Sequence, residues 1–434
     1  MNVQYSPPTC PDLQVMMIDF NAYFASVEQQ LNPALRGRPL GVVPVKAETS
    51  SCIAASYEAK AFGIKTGTRV SEARKLCPDI QFIVGKHAKY VKMHHQAVEI
   101  VNSLIPVDAV LSIDEMCCVL TPRWQTEAAA RQLAVDIKQA LLAGLGECMK
   151  TSIGIGANRF LAKTASNLQK PDGLVLLRAK DLPQALYRLQ IEDLNGIGKN
   201  MGIRLRAYDI DTVEKLYAQT RSQLRTVWGG IGGEVFWDKL HGLEVAEIAT
   251  NTQSMGHSHV MPPKERNRAS CKQVLDRLTQ KAAMRLRKSN FVTTQMTVSV
   301  GFIAAAGSLA AFHQRSTYWV QTTQFSETDD TRKLLRVLQQ LLVRWKLTPN
   351  TAKEAVPLKV GVLLHGLVPR SQVTLPLFED LASINESAQL NKTLDTLNLK
   401  YGKNTLYYAT AHEALDAAPM RIAFNRIPDL ETER

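Results

Sequence analysis

The chain has 434 residues, 45% of them hydrophobic, and a formal net charge of +12 at pH 7; this length predicts two to four domains with real cores, and the basic balance favours a polyanionic partner, most simply nucleic acid. No run of twenty apolar residues is present, which excludes a membrane-spanning helix. The N-terminus lacks the basic and apolar regions of a secretory signal, so we expect a cytoplasmic protein.

Strands and helices alternate through the first 173 residues. Apolar runs predict strands at 13–20, 40–45, 52–55, 110–120 and 151–157. Helices are predicted at 21–30, 56–64, 71–77, 87–104, 126–144 and 160–170. We expect Ser71 to cap the third of these helices and Pro78 to end it. The interleaving is typical of an α/β sheet with one face covered by helices.

The pattern changes after residue 173. Residues 181–245 are predicted to be entirely helical, and 246–255 lack an apolar period, which indicates a linker. A βαββαβ pattern follows, with elements near 255–261, 269–288, 291–304, 316–325, 330–346 and 357–364. The tail, 371–434, is expected to hold a helix at 386–400 and a short strand at 405–410.

Three acids interrupt apolar strands. Asp19 ends the first predicted strand, and Asp114 and Glu115 lie inside the strand predicted at 110–120. Charged residues rarely occupy such runs unless they are paired or bind a metal. Neighbouring strand residues point to opposite faces, so these two converge only if the strand bends. Clustered carboxylates suit Mg²⁺, and two such ions activate an attacking hydroxyl and hold a leaving pyrophosphate. The alternative is a set of strand-end acids that face solvent.

Four segments carry a family resemblance. They are DFNAYFASVEQQLNPALRGRPLGV (19–42), SYEAKAFGIKTG (56–67), SIDE (112–115) and SIGIGANRFLAKTASNLQKPDG (152–173). In this order they resemble the motifs of Y-family DNA polymerases, with similarity from about residue 13 to 245 and more weakly to 368. The resemblance implies an α/β (α+β) right-hand polymerase, between the subgroups of bacterial DNA polymerase IV and the catalytic subunit of DNA polymerase V.

The resemblance also implies a division into domains. The palm would have a ferredoxin-like fold, the fingers would be small, the thumb helical, and the little finger would have the order βαββαβ. The expected bounds are palm 12–22 and 86–177, fingers 23–85, thumb 178–245, linker 246–255, little finger 256–368 and C-terminal tail 369–434.

Site residues follow from the resemblance position by position. Asp19, Asp114 and Glu115 would be the catalytic acids and would hold two Mg²⁺ ions, together with the backbone carbonyl of Phe20. Phe24 falls where the family places an aromatic steric gate that excludes a ribose 2′-hydroxyl. The alternative for Phe24 is a core aromatic on the first turn of a helix.

Other residues would contact the incoming nucleotide. The nucleotide-binding set implied by the resemblance is Tyr23, Phe24, Tyr57, Lys60 and Lys170. Cationic donors on the phosphates stabilise charge that builds in the transition state. Many members carry arginine where this chain has Lys60, and lysine lacks the bidentate fork of arginine. Ile53 and Gly67 would lie over the nascent base pair and leave a roomy pocket.

Basic segments are candidates for DNA contact. LNGIGKN (194–200) resembles a helix-hairpin-helix, in which Gly196 and Gly198 allow a tight turn and Lys199 adds charge. An ordinary glycine turn is the alternative. In the little finger the phosphate-binding candidates are Lys264, Arg266 and Arg268, and then Arg285, Arg287 and Lys288. A basic helix is more often only a solvated face.

The tail carries a partner motif. QVTLPLF (372–378) is similar to the QLxLPLF form of the bacterial sliding-clamp motif. Leu375, Leu377 and Phe378 would fill an apolar groove of the clamp, and Gln372 would fix the register. A short core strand is the alternative.

The cysteines and histidines indicate no zinc site. The seven cysteines are scattered without a CxxC pair, which predicts reduced thiols, several of them buried. Cys271 does not complete a zinc spacing with the triplet His257–Ser258–His259, so we interpret these as ordinary strand histidines.

The activity implied is template-directed addition of deoxynucleotides to a primer, with low-fidelity translesion synthesis in the DNA damage response. The partners implied are primer-template DNA, dNTP and the bacterial β sliding clamp. We expect a monomer that an accessory subunit of the damage response could join. Two alternatives remain, a catalytically silent family scaffold bound to the clamp and a metal-dependent nuclease. The three acids oppose the first, and the gate aromatic and triphosphate-binding cations would have no purpose in the second.

Overall fold

The computed structural model describes residues 12–245, 253–304, 317–347, 355–373, 381–402, 404–415 and 417. Within these ranges the chain forms two compact units, 12–245 and 253–417. Both units combine helices with strands, as the α/β prediction requires. None of the described helices is long and apolar enough to cross a membrane.

The first unit contains two sheets. Its strands are β1 (Val15–Phe20), β2 (Leu40–Val43), β3 (Ala54–Ala55), β4 (Gln81–Val84), β5 (Ala109–Val110), β6 (Glu115–Val119), β7 (Thr151–Gly156) and β8 (Leu174–Leu176). The larger sheet has the order β5-β6-β1-β7-β8, and the smaller has the order β3-β2-β4.

Helices cover these sheets and continue beyond them. They are α1 (Tyr23–Leu31), α2 (Tyr57–Lys60), α3 (Val70–Leu76), α4 (His87–Asn102), α5 (Glu127–Leu145), α6 (Arg159–Leu168), α7 (Gln184–Tyr187), α8 (Lys199–Arg206), α9 (Val213–Tyr217), α10 (Arg221–Trp228) and α11 (Ile231–Leu240). The helical prediction for 181–245 is confirmed, because the elements described there are helices, α7 to α11 among them. These five helices share one apolar core with α6.

Strand β1 is central in the larger sheet and is buried along its whole length. Its continuous apolar run is typical of a strand covered on both faces. It pairs antiparallel with β6 on one side and β7 on the other, which sets Asp19 opposite Glu115 and opposite Ser152. The sheet register therefore brings two of the predicted acids together.

The prediction of one continuous strand at 110–120 is wrong. The chain turns between β5 and β6, which pair with each other as a hairpin. Within the turn the N–H of Leu111 donates to the carbonyl of Glu115 at 2.9 Å, and Asp114 precedes the first residue of β6. This is the bend that allows two sequence neighbours to reach the same end of the sheet.

The predicted cap at Ser71 is also wrong. Helix α3 begins one residue earlier, at Val70, and has no side-chain cap. The N–H of Val70 donates to the carbonyl of Ser50 at 2.9 Å, and that of Ser71 donates to Glu48 at 3.3 Å. Carbonyls of the preceding loop thus satisfy donors that a side chain would otherwise cap.

The second unit confirms the predicted βαββαβ order. Its elements are β9 (Ser254–Val260), α12 (Arg268–Lys288), β10 (Phe291–Ala304), β11 (Thr317–Thr328), α13 (Thr331–Leu347) and β12 (Ala355–Pro369). The strands form one antiparallel sheet with the order β11-β10-β12-β9. Buried side chains of α12 and α13 share one core with those of the sheet.

The tail packs onto this second unit. Helix α14 (Leu381–Tyr401) extends further toward the N-terminus than predicted, and a 3-10 helix follows at Ala409–Ala414. The predicted strand at 405–410 is wrong, because the N–H of Tyr408 donates to the side chain of Gln280 on α12 at 3.1 Å. The guanidinium of Arg277, also on α12, donates to the carbonyl of Ala417 at 2.7 Å.

A buried acid between α12 and α13 predicts a pH-dependent stability. Asp276 is 4% exposed, and the side-chain amide of Gln339 donates to it at 3.1 Å. Burial raises the pKa of the Asp276 carboxyl to about 7, although Gln339 and the charge of Lys272 act in the opposite direction. The ordinary pKa is 3.8, so this group's contribution to stability falls as pH rises from about 4 to about 7.

We therefore expect Asp276→Asn to remove part of the pH dependence of the second unit. Asparagine can still accept from Gln339 but does not ionise. Between pH 5.5 and 7.5 the wild type should lose roughly 2 kcal/mol of unfolding free energy more than the variant does. Urea unfolding followed at both pH values measures this difference. Parallel pH profiles for the two proteins would show that Asp276 does not titrate in this window.

Candidate active site

The predicted acids meet at one end of the larger sheet. Asp19 is buried near the end of β1, Glu115 lies opposite it at the start of β6, and Asp114 occupies the turn just before. The hydroxyl of Ser112 donates to the Asp114 carboxylate at 2.6 Å. The N–H of Phe20 donates to the carbonyl of Asp114 at 2.9 Å, which ties the turn to β1.

Two lysines contact these carboxylates. The ammonium group of Lys163 donates to Glu115 Oε1 at 2.7 Å and also to Asp19 Oδ2, so it bridges the two acids. The ammonium of Lys170 donates to Asp19 Oδ1 at 2.8 Å. Lys163 lies on α6 and Lys170 lies just beyond its end. Asp19 and Glu115 are thus held by cations from a single segment of the chain.

Lys163 is a residue of the site that was not predicted, although the sequence carries a signal for it. The segments FLA (160–162) and TAS (164–166) place apolar and small side chains on both sides of it, and all six are buried, so this lysine interrupts a buried stretch of α6. Lysine is almost never fully buried unless it is paired. A lysine seven residues before Lys170, which is about two helical turns, belongs to the same side of the segment.

Charge coupling extends over all three acids. The pKa of the Asp114 carboxyl is raised, chiefly by burial, and the charges of Asp19 and Glu115 add to this while Lys163 opposes it. Burial alone would lower the pKa of Lys163, but the two carboxylates it bridges outweigh that effect and raise it. The three acids therefore act as one electrostatic group balanced by ammonium.

The acids are not arranged as a finished metal cage. Within the described part of the chain, no three histidine, cysteine, aspartate or glutamate side chains form a group that could hold an ion as they stand. The ammonium of Lys163 lies between Asp19 and Glu115 instead. Binding of a divalent ion there requires Lys163 to move aside.

The predicted triphosphate residues converge on the same acids. Lys60 lies over the ring of Tyr57, with its ammonium 4.2 Å from the ring centroid. The pKa of Lys60 is lowered, first by burial and then by the charge of Lys170, while Asp19 opposes the shift. The pKa of Tyr57 is raised by burial and by Asp19. Because Lys60 and Lys170 repel one another, an anion bound between them would offset that repulsion.

Phe24 is half-buried on an aromatic support. Its ring stacks on Tyr90 with centroids 4.5 Å apart, and the ring of His87 lies 6.0 Å away, edge-on. Tyr90 is fully buried, and its hydroxyl donates to Glu28 at 2.9 Å. Phe24 is thus neither a fully buried core residue nor a free side chain, and its role as a gate stays a prediction.

Tyr23 is already engaged inside the protein. Its ring is buried and its hydroxyl donates to the carbonyl of Tyr90 at 2.7 Å. Burial and the charge of Asp114 raise its pKa. Any contact of Tyr23 with a nucleotide would therefore come from its backbone.

The two residues predicted to face the base pair lie side by side. The N–H of Gly67 donates to the carbonyl of Cys52, the neighbour of Ile53, at 2.8 Å. Gly67 has φ +93°, which disfavours any residue with a Cβ, and its missing side chain faces open space. Ile53 is half-buried.

The predicted DNA contacts of the helical region lie at the start of α8. Gly196 has φ +90°, so the turn requires glycine there, whereas a Cβ at Gly198 would meet open space. Lys199 is exposed at the first position of α8. The charge of Arg206, by contrast, is paired with Glu192 at 2.7 Å.

The basic candidates of the second unit differ in what they contact. Lys264 is exposed in a 3-10 helix. Arg266 is half-buried and donates to the carbonyl of Met261 at 3.0 Å, and the guanidinium carbon of Arg268 lies 4.7 Å from the ring centroid of Trp345. None of these contacts prevents the outer nitrogens from reaching a phosphate.

Arg287, predicted as a candidate for phosphate binding, is engaged inside the second unit instead. Its side chain is 12% exposed and donates twice to Asp395 of α14, at 2.7 and 2.8 Å. It also donates to the carbonyl of Asp329 at 2.7 Å. Its guanidinium binds the tail, so it is not a phosphate contact.

The clamp motif is described only at its beginning. Gln372 is exposed and ends a 3-10 helix at Arg370–Gln372 that follows β12. Leu375, Leu377 and Phe378 lie outside the described residues. The cysteine prediction is confirmed where the structure tests it, since six free thiols are found and five of them are buried. The triplet at 257–259 lies within β9, as expected of strand histidines.

Comparison with known proteins places this site in a family. The impB/mucB/samB family matches residues 18–167, and the C-terminal domain of that family matches residues 252–377. The DNA polymerase IV of Moorella thermoacetica is 30% identical over 412 residues, which are 92% of this chain and 96% of the relative. The DNA polymerase IV of Bacillus velezensis is 27% identical over 421 residues, or 95% of this chain and 96% of the relative.

A solved structure has the same fold. The Y-family DNA polymerase chimera Dbh-Dpo4(243-245)-Dbh superimposes with a TM-score of 0.65 and 23% identity, covering 82% of this chain and 99% of its own. The architecture is the right-hand fold of template-directed nucleic acid polymerases. The chain belongs to the Y family of DNA polymerases. It is a template-directed DNA polymerase of the low-fidelity, translesion type that uses divalent metal ions.

Proposed function

We propose that this polymerase adds deoxynucleotides to a primer 3′ end with two Mg²⁺ ions. Asp19, Asp114, Glu115 and the carbonyl oxygen of Phe20 would hold the ions. The observation that supports the proposal is the position of the Lys163 ammonium group between Asp19 and Glu115. A cation at this point balances the negative charge of the two carboxylates. Burial raises the pKa of the Asp114 carboxyl, and the negative charges of Asp19 and Glu115 add to that shift, which supports a cation beside all three acids.

The donor set fits Mg²⁺. All candidate ligands are hard oxygen atoms, which this ion prefers over nitrogen or sulfur. The chemistry supplied by two such ions, when bound, is activation of the primer hydroxyl and neutralisation of the leaving pyrophosphate. Asp19 stands between β6 and β7 in the sheet register, so the fold fixes its backbone from both sides.

The remaining site residues would hold and select the nucleotide. Lys60 and Lys170 would bind the triphosphate. Burial is the largest cause of the lowered pKa of Lys60, and repulsion by the charge of Lys170 is the next. A bound triphosphate would offset that repulsion. Tyr57 supports Lys60 by stacking beneath its ammonium. Phe24 would exclude a 2′-hydroxyl, with Tyr90 holding its ring from behind.

Primer-template DNA is the proposed substrate. The net charge of +12 and the exposed Lys199 and Lys264 support phosphate contacts, which position the duplex without reading its sequence.

The direct test of the proposed catalytic acids replaces Asp19 or Asp114 and measures Mg²⁺-dependent incorporation of a single nucleotide. A silent scaffold would be unaffected because it would have no incorporation to lose.

The sliding clamp is the proposed protein partner. The motif that supports it runs from Gln372 to Phe378, between β12 and α14. Its beginning is exposed, which a docking peptide requires. Because α14 is bound to α12 through Arg287 and Asp395, deletion of the motif would strain that attachment, and substitution is the cleaner test.

Replacing both Leu377 and Phe378 by alanine should abolish clamp binding and leave basal extension of a short template unchanged. Two apolar anchors that fill a pocket typically carry much of such an interface. Tethering raises the effective concentration of polymerase at the primer end, so clamp-stimulated synthesis should fall as well.

Calorimetric titration of a 371–380 peptide against a bacterial β clamp separates loss of the motif from a folding defect. The matched control is the same peptide with alanine at 377 and 378, which should not bind. No detectable heat from the wild-type peptide would return this segment to the alternative of a core strand.

A further inference from the structure

A buried histidine lies directly behind the turn that carries Asp114. His94, on α4, is 2% exposed, and its Nδ1 lies 2.9 Å from the carbonyl oxygen of Ile113. Ile113 immediately precedes Asp114, so this contact fixes the peptide group that leads into the acid. Helix α4 itself packs against α1 and α5. The support therefore comes from the body of the unit and not from the turn.

The protonation of His94 is defined by its surroundings. Burial lowers the pKa of its imidazole to about 4, and the hydrogen bond to Ile113 opposes that shift. The ring is thus neutral at neutral pH and carries one proton. A carbonyl oxygen can only accept, so that proton must be on Nδ1.

Three anchors then hold Asp114 from different directions. The ring of His94 holds the carbonyl on its N-terminal side, and the N–H of Phe20 holds its own carbonyl. The hydroxyl of Ser112 holds its carboxylate. With the backbone fixed on both sides of its Cα, the direction of the Asp114 side chain is limited to its own rotamers.

We propose that His94 is a positioning residue for the metal site, acting through the carbonyl of Ile113 on the orientation of Asp114. It touches neither substrate nor metal. The inference rests on the proposed role of Asp114 as a metal ligand. Groups that orient a ligand from behind typically change metal affinity by 10- to 100-fold, so loss of the Nδ1–H donor should weaken metal binding without removing any ligand.

The test compares His94→Leu with His94→Asn. Leucine fills similar space but cannot donate, which leaves the buried carbonyl of Ile113 without its partner. The asparagine amide can present an N–H near the position of Nδ1. His94→Leu should raise the Mg²⁺ concentration for half-maximal incorporation by about tenfold, with little change in the rate at saturating Mg²⁺. His94→Asn should restore a value close to wild type.

A second readout does not depend on turnover. Mn²⁺ binding is measured by calorimetry on the full chain with a dideoxy-terminated primer-template and the matching dNTP. His94→Leu should weaken binding by the same factor. Two controls separate positioning from general loss of packing: Gln96→Leu changes an exposed residue of the same helix, and Val101→Ala makes a cavity elsewhere in α4. Neither should alter metal affinity, even if Val101→Ala lowers the melting temperature.

The outcomes are distinguishable. Unchanged metal affinity in His94→Leu, or an equal change in Val101→Ala, would overturn the inference. Asp114→Asn is measured in parallel: if it also leaves metal affinity unchanged, the proposed metal site itself is wrong. If Asp114→Asn loses metal binding while His94→Leu retains it, only the positioning role fails. A melting curve for each variant confirms that folded protein is compared.

Discussion

Replacing Asp19 or Asp114 by alanine is expected to abolish Mg²⁺-dependent primer extension while leaving DNA binding intact. Each substitution removes a carboxylate from the group balanced by Lys163. Metal ions contribute several kcal/mol to transition-state stabilisation, so the rate should fall by about a thousandfold or more. The basic contacts to phosphate are untouched, so the affinity for primer-template should be equal to or higher than that of the wild type.

Asp108→Ala is a suitable control for these variants. Asp108 is an exposed acid next to β5 of the same sheet, and it accepts from the backbone of Val119. Its loss should leave extension within a few-fold of wild type, since a surface position away from the site rarely matters much. Incorporation near the wild-type rate by either Asp19→Ala or Asp114→Ala would show that the acids are not the catalytic group.

Replacing Phe24 by alanine is expected to admit ribonucleotides. The Phe24 ring is held in place by stacking on Tyr90. A ribose 2′-hydroxyl placed against this ring would therefore clash with a side chain that has no room to move away. The preference for dNTP over rNTP should fall by about two orders of magnitude, because the discrimination is steric and its source is removed. Incorporation of both nucleotides on one template gives the ratio directly.

Phe24→Tyr is the matched variant, since it keeps the ring and should keep the preference for dNTP. The comparison also corrects for lost packing, because the rate with dNTP is measured for each protein. A selectivity in Phe24→Ala that equals the wild-type value would exclude the ring as the gate.

Local patterns in the sequence were sufficient for much of the fold. The run LQVMMIDF (13–20) was apolar enough to predict a buried strand, and β1 confirms it. The βαββαβ order of the second unit followed from elements long enough to show their periods. In both cases the signal lies within one element, so no knowledge of distant contacts was required.

Features that depend on distant partners could not be derived in this way. The turn at Asp114 exists because β5 folds back on β6, and a residue pattern alone shows one apolar run. Lys163 reaches Glu115 from α6, 48 residues away along the chain. His94 reaches the carbonyl of Ile113, next to Asp114, from α4, 19 residues away. The sequence alone does not reveal that Arg287, a candidate phosphate contact, pairs with Asp395, because the two residues are 108 positions apart.

The proposed role of Asp19, Asp114 and Glu115 is to hold the ions that serve nucleotide transfer. Anomalous scattering from Mn²⁺, in crystals of the complex with a dideoxy-terminated primer-template and matching dNTP, locates those ions directly. We expect two peaks within bonding distance of these carboxylates, with the ammonium of Lys163 withdrawn from between Asp19 and Glu115. The protein used must extend an ordinary primer with Mn²⁺. If its crystals show the Mn²⁺ peaks away from these carboxylates, that result would contradict the proposed role.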